Sequence, residues 1–467
     1  MVAPWDRRAS DDHARIAGEK LRTWLPAVAT TSRFWADWFR LHHVDPASVD
    51  GVEDLARLPT AREADVVYAG GAGGPHLVLR PNEDQVKARA SGDVLRSIAD
   101  RIRSAGAEGK RRALLEQYKP IQLHQAGRDG LLTVASSRSD LDRLHLAGAR
   151  AAAVLGLTED DYVVSAVPAG PTLAFWGVYH LALGASLLAV HPRGSGEPAD
   201  AVIDSFGLVP ASAVVVPVGE AVSLAAALIE HGVDLGTVRT VVTVGPPPAA
   251  DVRARVQEAW LAAGTARGLR VLALWGPSGG RALWAECSAG NGLHTYPDLG
   301  IVEVVDPSTG RIAREDGDLT LTTVAWHGTA LVRYQTGEYV ASVTDAACPG
   351  CGRTVPRVTG DVIEGAWEPA ITTADGVFRA DLRGAAVVLG VEPGINAWRT
   401  EVRPPKGRRK TDQVVVEAAP PLDDAVAAAL EERLAASVGV PVTLSGADAP
   451  TVQRNAERAG SVFADLR

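Results

Sequence analysis

Apolar residues follow two different spacings along the chain, and the change between them divides the sequence into regions. In the N-terminal region they recur at intervals of three and four, which predicts amphipathic helices over Ala14 to Trp24, Ser32 to His42 and Gln85 to Ala105. From Gly130 onward, short β-branched runs alternate with stretches of helical length, a pattern typical of a mostly parallel α/β sheet. The predicted strands are Tyr162 to Val167, Ser186 to Val190, Ala213 to Val218, Thr240 to Val244 and Arg270 to Leu274. The predicted helices between them are Leu173 to Leu183, Ala221 to His231 and Ala249 to Ala263.

After Trp275 the helical pattern stops, and Gly300 to Ser342 predicts antiparallel strands, with a hairpin formed by Ile301 to Val305 and Leu319 to Thr323. Near Gly360 the pattern changes again. The remaining residues predict a small α+β domain, made of a strand with a basic loop, a helix and a short strand: Trp398 to Glu417, Leu422 to Val438 and Pro441 to Ser445. We therefore predict an α/β fold with a large N-terminal domain and a small C-terminal one. The large domain, 1–361, has a helical start (1–125), an α/β core (126–275) and a β segment (276–361), and the small domain covers 362–467.

Composition excludes several classes of protein. The 467 residues carry 47 basic and 56 acidic side chains, a net charge of −9, which argues against a nucleic-acid-binding protein. The longest apolar stretch, Val178 to Val190, is too short to span a bilayer, and the first residues lack the apolar core of a signal peptide. We therefore expect a cytoplasmic protein without a membrane partner. Two counts bear on chemistry: there are 3 cysteines, and the lysines are limited to Lys20, Lys87, Lys110, Lys119, Lys406 and Lys410.

The cysteines predict a metal site. Cys348 and Cys351 form a C-x2-C turn around Pro and Gly, which in a cytosolic chain favours metal binding over a disulfide. Cys287 and His294 lie seven residues apart on a Gly-rich segment and complete a Cys3His set, the ligand number that tetrahedral zinc requires. Such a closed site would be structural and would join the end of the α/β core to the β segment. The alternative is two unrelated buried thiols and an exposed cysteine pair.

From Trp275 to Arg357 the sequence resembles the phenylacetate–CoA ligase branch of the adenylate-forming superfamily. The matching elements occur in the family's order: Glu286-Cys287, Gly292 to His294, Asp298, Glu303 to Gly310, Gly317 to Thr323, Arg333 to Glu338 and Cys348 to Arg357. The stretch from Val44 to Pro59 is also similar. Some members of this branch bind zinc at such Cys and His positions, so the resemblance also implies zinc here.

The resemblance implies a two-step reaction. A carboxylic acid attacks the α-phosphate of ATP, with Mg²⁺ as cofactor, and gives an acyl-adenylate. The small C-terminal domain then rotates to admit CoA or another thiol, such as that of a carrier protein. This chemistry requires positive charge on the reacting phosphates and a fixed ribose.

The phosphate loop is the first place where this chain departs from the family. In Thr133 to Asp140, Ser136, Ser137 and Arg138 stand where the family has a glycine-rich loop, and every glycine is gone. Without glycine, phosphate cannot easily approach the backbone. Arg138 could bind phosphate through its side chain. Alternatively, the segment is a strand–helix turn in which Ser139 caps the following helix.

The other nucleotide positions are partly kept. The adenine element falls on Trp275, Gly276 and Ser278, and the glutamate that would hold magnesium falls on Gly279. For the ribose, Glu338 replaces the family's aspartate, with Arg333 and Tyr334 in place; the alternative is a salt-bridged strand end.

The C-terminal positions depart further. The family's hinge arginine falls on Asp361, which reverses a charge, and the adenylation lysine falls on Arg458, with no lysine after Lys410. A planar guanidinium does not reproduce a compact ammonium. The loop carrying Lys406 and Lys410 could meet CoA phosphates or could be a solvated turn.

The family's acid pocket falls on an aromatic helix and a Gly-Pro loop: Trp176, Tyr179, His180, Gly245 and Pro246. These residues would suit an aryl acid, or they are helix core. Two functions stay open. The leading hypothesis is a divergent adenylate-forming ligase that acts on an aryl or related acid, and the alternative is a catalytically degenerate homologue that binds a ligand or regulates. A homodimer is also left open.

Overall fold

The structure is a computed structural model. It describes residues 4–62, 65–66, 77–82, 84–85, 115–126, 132–191, 199–306, 309–313, 315–363, 370–374, 376–380, 394–405, 411–459 and 463–465, with isolated positions between 382 and 392. Beyond Gln85, the helix predicted up to Ala105 lies outside these residues. The described helices of six residues or more are α1 Ser10–Thr31, α2 Arg33–Leu41, α3 Arg138–Leu155, α4 Leu173–Ala185, α5 Ala199–Ser205, α6 Ala221–Glu230, α7 Ala250–Ala262, α8 Asp424–Val438 and α9 Ala449–Ala459.

The strands of the large N-terminal part are β1 Pro120–Ala126, β2 Leu132–Ser137, β3 Tyr162–Ser165, β4 Leu188–Val190, β5 Ala213–Pro217, β6 Thr240–Val244, β7 Arg270–Trp275, β8 Trp284–Glu286, β9 Leu293–His294, β10 Gly300–Val305, β11 Gly317–Thr323, β12 Tyr334–Thr344 and β13 Arg357–Ile363. The strands that follow are β14 Ala370–Thr373, β15 Gly376–Arg379, β16 Ala397–Arg403, β17 Gln413–Ala419, β18 Val442–Gly446 and β19 Phe463–Asp465. Compared with the sequence predictions, the elements are in place, with ends that differ by a few residues.

One sheet of 11 strands runs through the large part, in the order β10-β11-β12-β13-β9-β8-β7-β6-β5-β3-β4. The five strands from β3 to β7 are parallel to one another, as predicted, and the valine-rich strands β5 and β6 are almost entirely buried. From β8 onward the pairs are antiparallel, and β10 and β11 form the predicted hairpin. The α/β core and the β segment therefore share one sheet and are not separate layers.

Helices α1 and α2 anchor to the antiparallel half of the sheet. Trp24 Nε1 donates to the carbonyl of Trp326 at 2.9 Å, and Trp35 Nε1 donates to the carbonyl of Ala330 at 2.8 Å. Both indoles are buried and each has its N–H satisfied, as buried tryptophan requires. Among the described residues, no helix is long and apolar enough to cross a membrane.

The small C-terminal part is built on a four-stranded sheet, in the order β18-β17-β16-β19, with α8 packed on it. The segment predicted as one strand with a basic loop is a hairpin of two strands, β16 and β17. Strand β13 extends to Ile363, where it still pairs with Tyr339, so the predicted boundary after residue 361 falls inside a strand.

Candidate functional site

Three segments of the chain bring together three cysteines and one histidine. Cys287 follows β8, His294 ends β9, and Cys348 and Cys351 lie in the turn after β12. The four ligand atoms all lie within 4.8 Å of one another. Cys287 Sγ is 3.7 Å from Cys348 Sγ, and Cys351 Sγ is 3.5 Å from His294 Nε2. The cysteines therefore do not lie as separate thiols and an exposed pair.

This cluster, the Cys3His cluster, fits a tetrahedral metal ion. Two thiolates at about 2.3 Å from one zinc ion lie roughly 3.8 Å apart, close to the observed sulfur–sulfur distance. Burial lowers the pKa of His294 to about 3, and the nearby guanidinium groups of Arg353 and Arg357 add to this shift. The imidazole is then neutral at physiological pH, the form that binds metal. The four side chains leave no position for water, as in structural zinc sites.

The residues expected at the nucleotide and acid sites lie partly along one edge of the sheet. Gly245 and Pro246 follow β6, and Trp275 ends the neighbouring strand β7, with Gly276 next. The N–H of Gly245 donates to the carbonyl of Leu274 at 3.3 Å, which fixes the two strand ends side by side. The carboxyl ends of parallel strands are where open α/β sheets bind ligands.

The N-terminus of α3 is capped by the side chains of Ser137 and Asp140. Strand β2 runs directly into the helix, and Ser137 caps it: Ser137 Oγ accepts from the N–H of Asp140, and Asp140 Oδ2 accepts from the N–H of Ser137 at 2.9 Å. The expectation that Ser139 caps the helix is wrong, because Ser139 lies in the first turn and its hydroxyl accepts from Arg143. Ser136 is fully buried in β2 and Arg138 is exposed. No loop remains here to wrap a phosphate.

Asp140 also holds a second backbone segment in place. Its two carboxylate oxygens accept the N–H groups of His327 at 2.8 Å and Gly328 at 2.7 Å. With the bond from Ser137, this fully buried carboxylate accepts three backbone N–H groups. Its negative charge therefore occupies the end of the helix that would otherwise favour an anion.

Arg281 fills the space between β2 and this segment. Its guanidinium donates to the carbonyl oxygens of Ala135, at 2.8 Å, and Thr329, lies 3.9 Å from Asp140 Oδ2 and stacks 4.1 Å from the ring centre of Trp326. Complete burial lowers the pKa of Arg281 to about 10, so it stays charged. The cavity beside it, about 20 Å³, has room for a water molecule.

The position expected to hold magnesium is packed with apolar atoms. A Cβ on Gly279 would lie 3.1 Å from Leu132 Cδ2, 3.4 Å from Leu331 Cδ1 and 3.7 Å from Tyr334 Cε1. The Cβ of a glutamate here would therefore contact all three of these side chains. The neighbouring carbonyl of Ser278 accepts from His124 Nε2 at 3.0 Å.

Of the adenine positions, Trp275 is 7% exposed and packs edge-on against Trp284, with ring centres 5.9 Å apart. Gly276 is required by close packing, since a Cβ there would lie 2.6 Å from the carbonyl oxygen of Ala282. Trp275 is therefore a core residue of the sheet edge, and stacking on a purine would require it to leave this contact.

The ribose positions are divided. Arg333 points into the protein, where it donates to Glu303 at 3.0 Å and to the carbonyl of Leu58 at 2.6 Å, so it is a salt-bridged strand end. Tyr334 is buried against Gly279. Glu338 is half-buried further along β12.

The expected acid-binding residues belong to an aromatic group on α4. Trp176 packs edge-on against Tyr179 and near His180, and Phe175 contacts His191 after β4. Burial lowers the pKa of His180 to about 4, and its Nε2 lies 3.4 Å from Gln122 Oε1. Trp176 and Tyr179 are partly exposed, so they are accessible to a ligand; His180 is buried.

The C-terminal candidates are only partly described. Arg458 lies in α9, but its side chain lies outside the described residues, as do Lys406 and Lys410 altogether. Sequence reasoning missed Asp140 and Arg281. The spacing of Ser137 and Asp140 matches a capping box and could have revealed the first, whereas no local pattern marks a buried arginine.

Comparisons with known proteins identify the fold. No protein-family model matches the sequence, and no curated protein matches it. Among solved structures, the chain is similar to 2-hydroxyisobutyryl-CoA ligase in the postadenylation state with 2-HIB-AMP, with a TM-score of 0.71 and 15% identity over 95% of this chain and 87% of that chain. The thioesterification state of the same ligase, with 2-HIB-AMP and CoA, gives a TM-score of 0.61 at 16% identity over the same shares. A fatty acyl-adenylate ligase structure, from work on E. coli and L. pneumophila, gives 0.50 at 12% identity over 71% of this chain and 66% of that one.

The chain therefore has the fold of adenylate-forming ligases along almost its whole length, and the predicted fold class is confirmed. The narrower resemblance to the phenylacetate–CoA ligase branch stays a prediction.

Proposed function

We propose that this protein is a homologue of adenylate-forming ligases that has lost adenylation and binds a small carboxylic acid, or its thioester, without activating it. One observation supports the proposal: the residues at the sequence positions of the phosphate loop and of the magnesium-holding glutamate bond to, or pack against, other groups of the protein. Asp140 closes the start of α3, and Leu132, Leu331 and Tyr334 enclose Gly279.

Electrostatics support this reading. A triphosphate beside the start of α3 would meet the carboxylate of Asp140, and Arg281, 3.9 Å from that carboxylate, is already bonded to two carbonyls. The tail residue at the lysine position is Arg458. Loss of a preorganised electrostatic partner costs about 2–4 kcal/mol of transition-state stabilisation. Losing the lysine, the magnesium glutamate and the loop together would remove most of the rate enhancement.

The ligand would meet the aromatic group of α4. Trp176 and Tyr179 offer ring faces and edges, and the neutral imidazole of His180 brings no positive charge. This lining suits a planar aryl acid held by stacking and hydrogen bonding. The Gly245-Pro246 turn at the neighbouring strand ends would bound the ligand on one side.

A second candidate is a divergent ligase that uses ATP and Mg²⁺ to form an acyl-adenylate and passes the acyl group to CoA or a carrier-protein thiol. It is favoured by the fold match, which extends over 95% of the chain and includes the small C-terminal part. Glu338 would hold the ribose and Arg458 would stand in for the lysine, with Ser136, Ser137 and Arg138 nearest the phosphates.

Titration calorimetry with ATP–Mg²⁺, followed by pyrophosphate-release assays over a panel of aryl and aliphatic acids, separates the two functions. We expect no nucleotide binding at millimolar ATP and measurable binding of at least one aryl acid, weakened by Trp176→Ala and unchanged by Arg138→Gln. Acid-dependent pyrophosphate release that Glu338→Gln reduces would overturn the proposal in favour of the ligase.

We also propose that Cys287, His294, Cys348 and Cys351 hold a structural zinc ion. Metal analysis of protein purified without chelators tests this directly. One zinc per chain is expected, and recovery of far less would count against the site.

A further inference from the structure

The N-terminal segment, residues 6–13, lies against the loop that follows the C-x2-C turn. Arg7 Nη2 donates to the carbonyl of Cys351 at 3.0 Å. Thr354 binds the segment through its N–H, which donates to the carbonyl of Asp6 at 2.8 Å, and through its hydroxyl, which lies 3.3 Å from His13 Nε2. These contacts all fall on residues 351–354, which begin at a cysteine of the Cys3His cluster.

Arg353 lies at the centre of this contact. Its guanidinium donates to Asp6 Oδ2 at 3.0 Å and to the carbonyl of Ala153, near the end of α3, at 2.9 Å. Arg353 and Asp6 are only 3% and 5% exposed. One buried cation therefore joins the loop 351–354 to the N-terminal segment and to α3.

The backbone of the loop connects this contact to the cluster. The N–H of Cys348 donates to the carbonyl of Arg353 at 2.7 Å, and the N–H of Gly352 donates to the carbonyl of Cys348 at 2.8 Å. A metal ion held by Cys348 and Cys351 would fix the C-x2-C turn at both ends, and with it the loop 351–354 on which the segment docks.

We propose that Arg353 couples metal binding by the Cys3His cluster to docking of the N-terminal segment, residues 6–13. When the four ligands hold a metal, the C-x2-C turn and the loop 351–354 are fixed, so that Arg353 holds Asp6 and the loop presents its carbonyl and N–H groups to the segment. Without metal, the loop loses its anchor and the segment undocks. The coupling rests on the proposed zinc site and is independent of whether the protein binds ATP or an acid.

Thermodynamic linkage makes the coupling reciprocal: if metal favours docking, docking must retain metal by the same factor. Asp6→Asn lies outside the ligand set, yet it should release metal faster. Contacts that orient ligands typically change metal affinity by 10–100-fold.

The test is hydrogen–deuterium exchange on the full chain, with zinc and after removal of zinc by a chelator. We expect the peptide covering residues 6–13 to exchange at least about 10-fold faster without zinc, while a peptide from α8 stays unchanged. Equal exchange of the N-terminal peptide in the two states would overturn the proposal.

Zinc transfer to a chromogenic chelator provides the second measurement. Asp6→Asn and Arg353→Gln should each accelerate transfer by about 10-fold or more. Arg15→Gln, at an exposed position of α1 just after the segment, should not. If Asp6→Asn leaves both zinc transfer and exchange of the segment at wild-type values, the coupling is wrong. Protein recovered without zinc would also overturn it, and would leave the acid-binding proposal standing.

Discussion

The Cys3His cluster contrasts with the residues at the family's nucleotide positions and with Asp140 and Arg281 beside them, which we call the nucleotide edge. In the cluster, the four ligand atoms face one another within 4.8 Å. At the nucleotide edge, Asp140 and Arg281 bond to backbone groups and lie 3.9 Å apart, and Arg333 bonds to Glu303 and to the carbonyl of Leu58.

The difference shows that a resemblance in sequence predicts where residues lie better than what their side chains bind. A buried polar atom must find a partner, and it takes a protein group when no ligand is available. Whether a side chain is free to bind a ligand or instead stabilises the fold depends on partners from distant loops. The N–H groups of His327 and Gly328, which bond to Asp140, are such partners.

The largest test of this comparison is Asp140→Ala. It leaves three buried N–H groups without their acceptor and Arg281 without its nearest carboxylate, so we expect a loss of about 3–5 kcal/mol in the free energy of unfolding. Urea denaturation measures the change, with Asp142→Ala, an exposed position on the same helix, as control. A loss below about 1 kcal/mol would mean that Asp140 does not stabilise the fold through these hydrogen bonds.

Metal removal tests the other region. If the Cys3His cluster holds zinc in the folded state only, free zinc at a hundredfold excess over Kd stabilises the protein by about 2.7 kcal/mol. Thermal unfolding with zinc and with a chelator should differ accordingly in the wild type. In Cys348→Ser the difference should disappear, whereas His231→Gln, at an exposed histidine, should keep it.

Acid should lower the free energy of unfolding through His124, whose ring bonds to the carbonyl of Ser278. Burial lowers the pKa of His124 to about 4, below the 6.5 of an unfolded histidine. The unfolded chain therefore takes up a proton first, and the stability that the neutral imidazole contributes is present above pH 6.5 and lost as the pH falls toward 4. Between pH 7 and 5 the loss is about 2 kcal/mol.

His124→Gln should reduce this loss, measured as the change in unfolding free energy between the two pH values, while His231→Gln should leave it unchanged. An equal pH dependence in His124→Gln and the wild type would show that His124 does not cause the loss of stability in acid.

The smallest expected effect is that of Arg138→Gln. Arg138 is exposed at the start of α3, so its replacement should change the unfolding free energy by less than about 0.5 kcal/mol. Titration with ATP–Mg²⁺ should give only background heat in this variant, as in the wild type. If the wild type binds ATP–Mg²⁺ and Arg138→Gln binds it more weakly, the start of α3 is a nucleotide-binding site.

Much of the fold could be predicted from the sequence, because strand periodicity and valine-rich runs report burial directly. The parallel strands, the hairpin of β10 and β11, and helix α8 follow from such patterns. The joining of the two strand groups into one sheet could not, since it depends on β8 and β9, which are only 3 and 2 residues long.

The candidate site divides in the same way. The residues of the Cys3His cluster could be predicted from the sequence, because the cysteine spacing and the number of ligands restrict the choice of residues. The closure of the nucleotide edge was not, because it rests on Arg281 reaching the carbonyl of Ala135 across 146 positions of sequence. Long-range hydrogen bonds of this kind leave no local signal.

The packing around Gly279 also has an evolutionary consequence. A Gly279→Glu change would bring a Cβ to 3.1 Å from Leu132 Cδ2 and 3.4 Å from Leu331 Cδ1, so it costs stability unless these side chains move. Under the proposed function this change alone gives no adenylation, because the glycine loop and the lysine do not come with it. The packing at Gly279 therefore opposes a stepwise evolutionary route to that reaction.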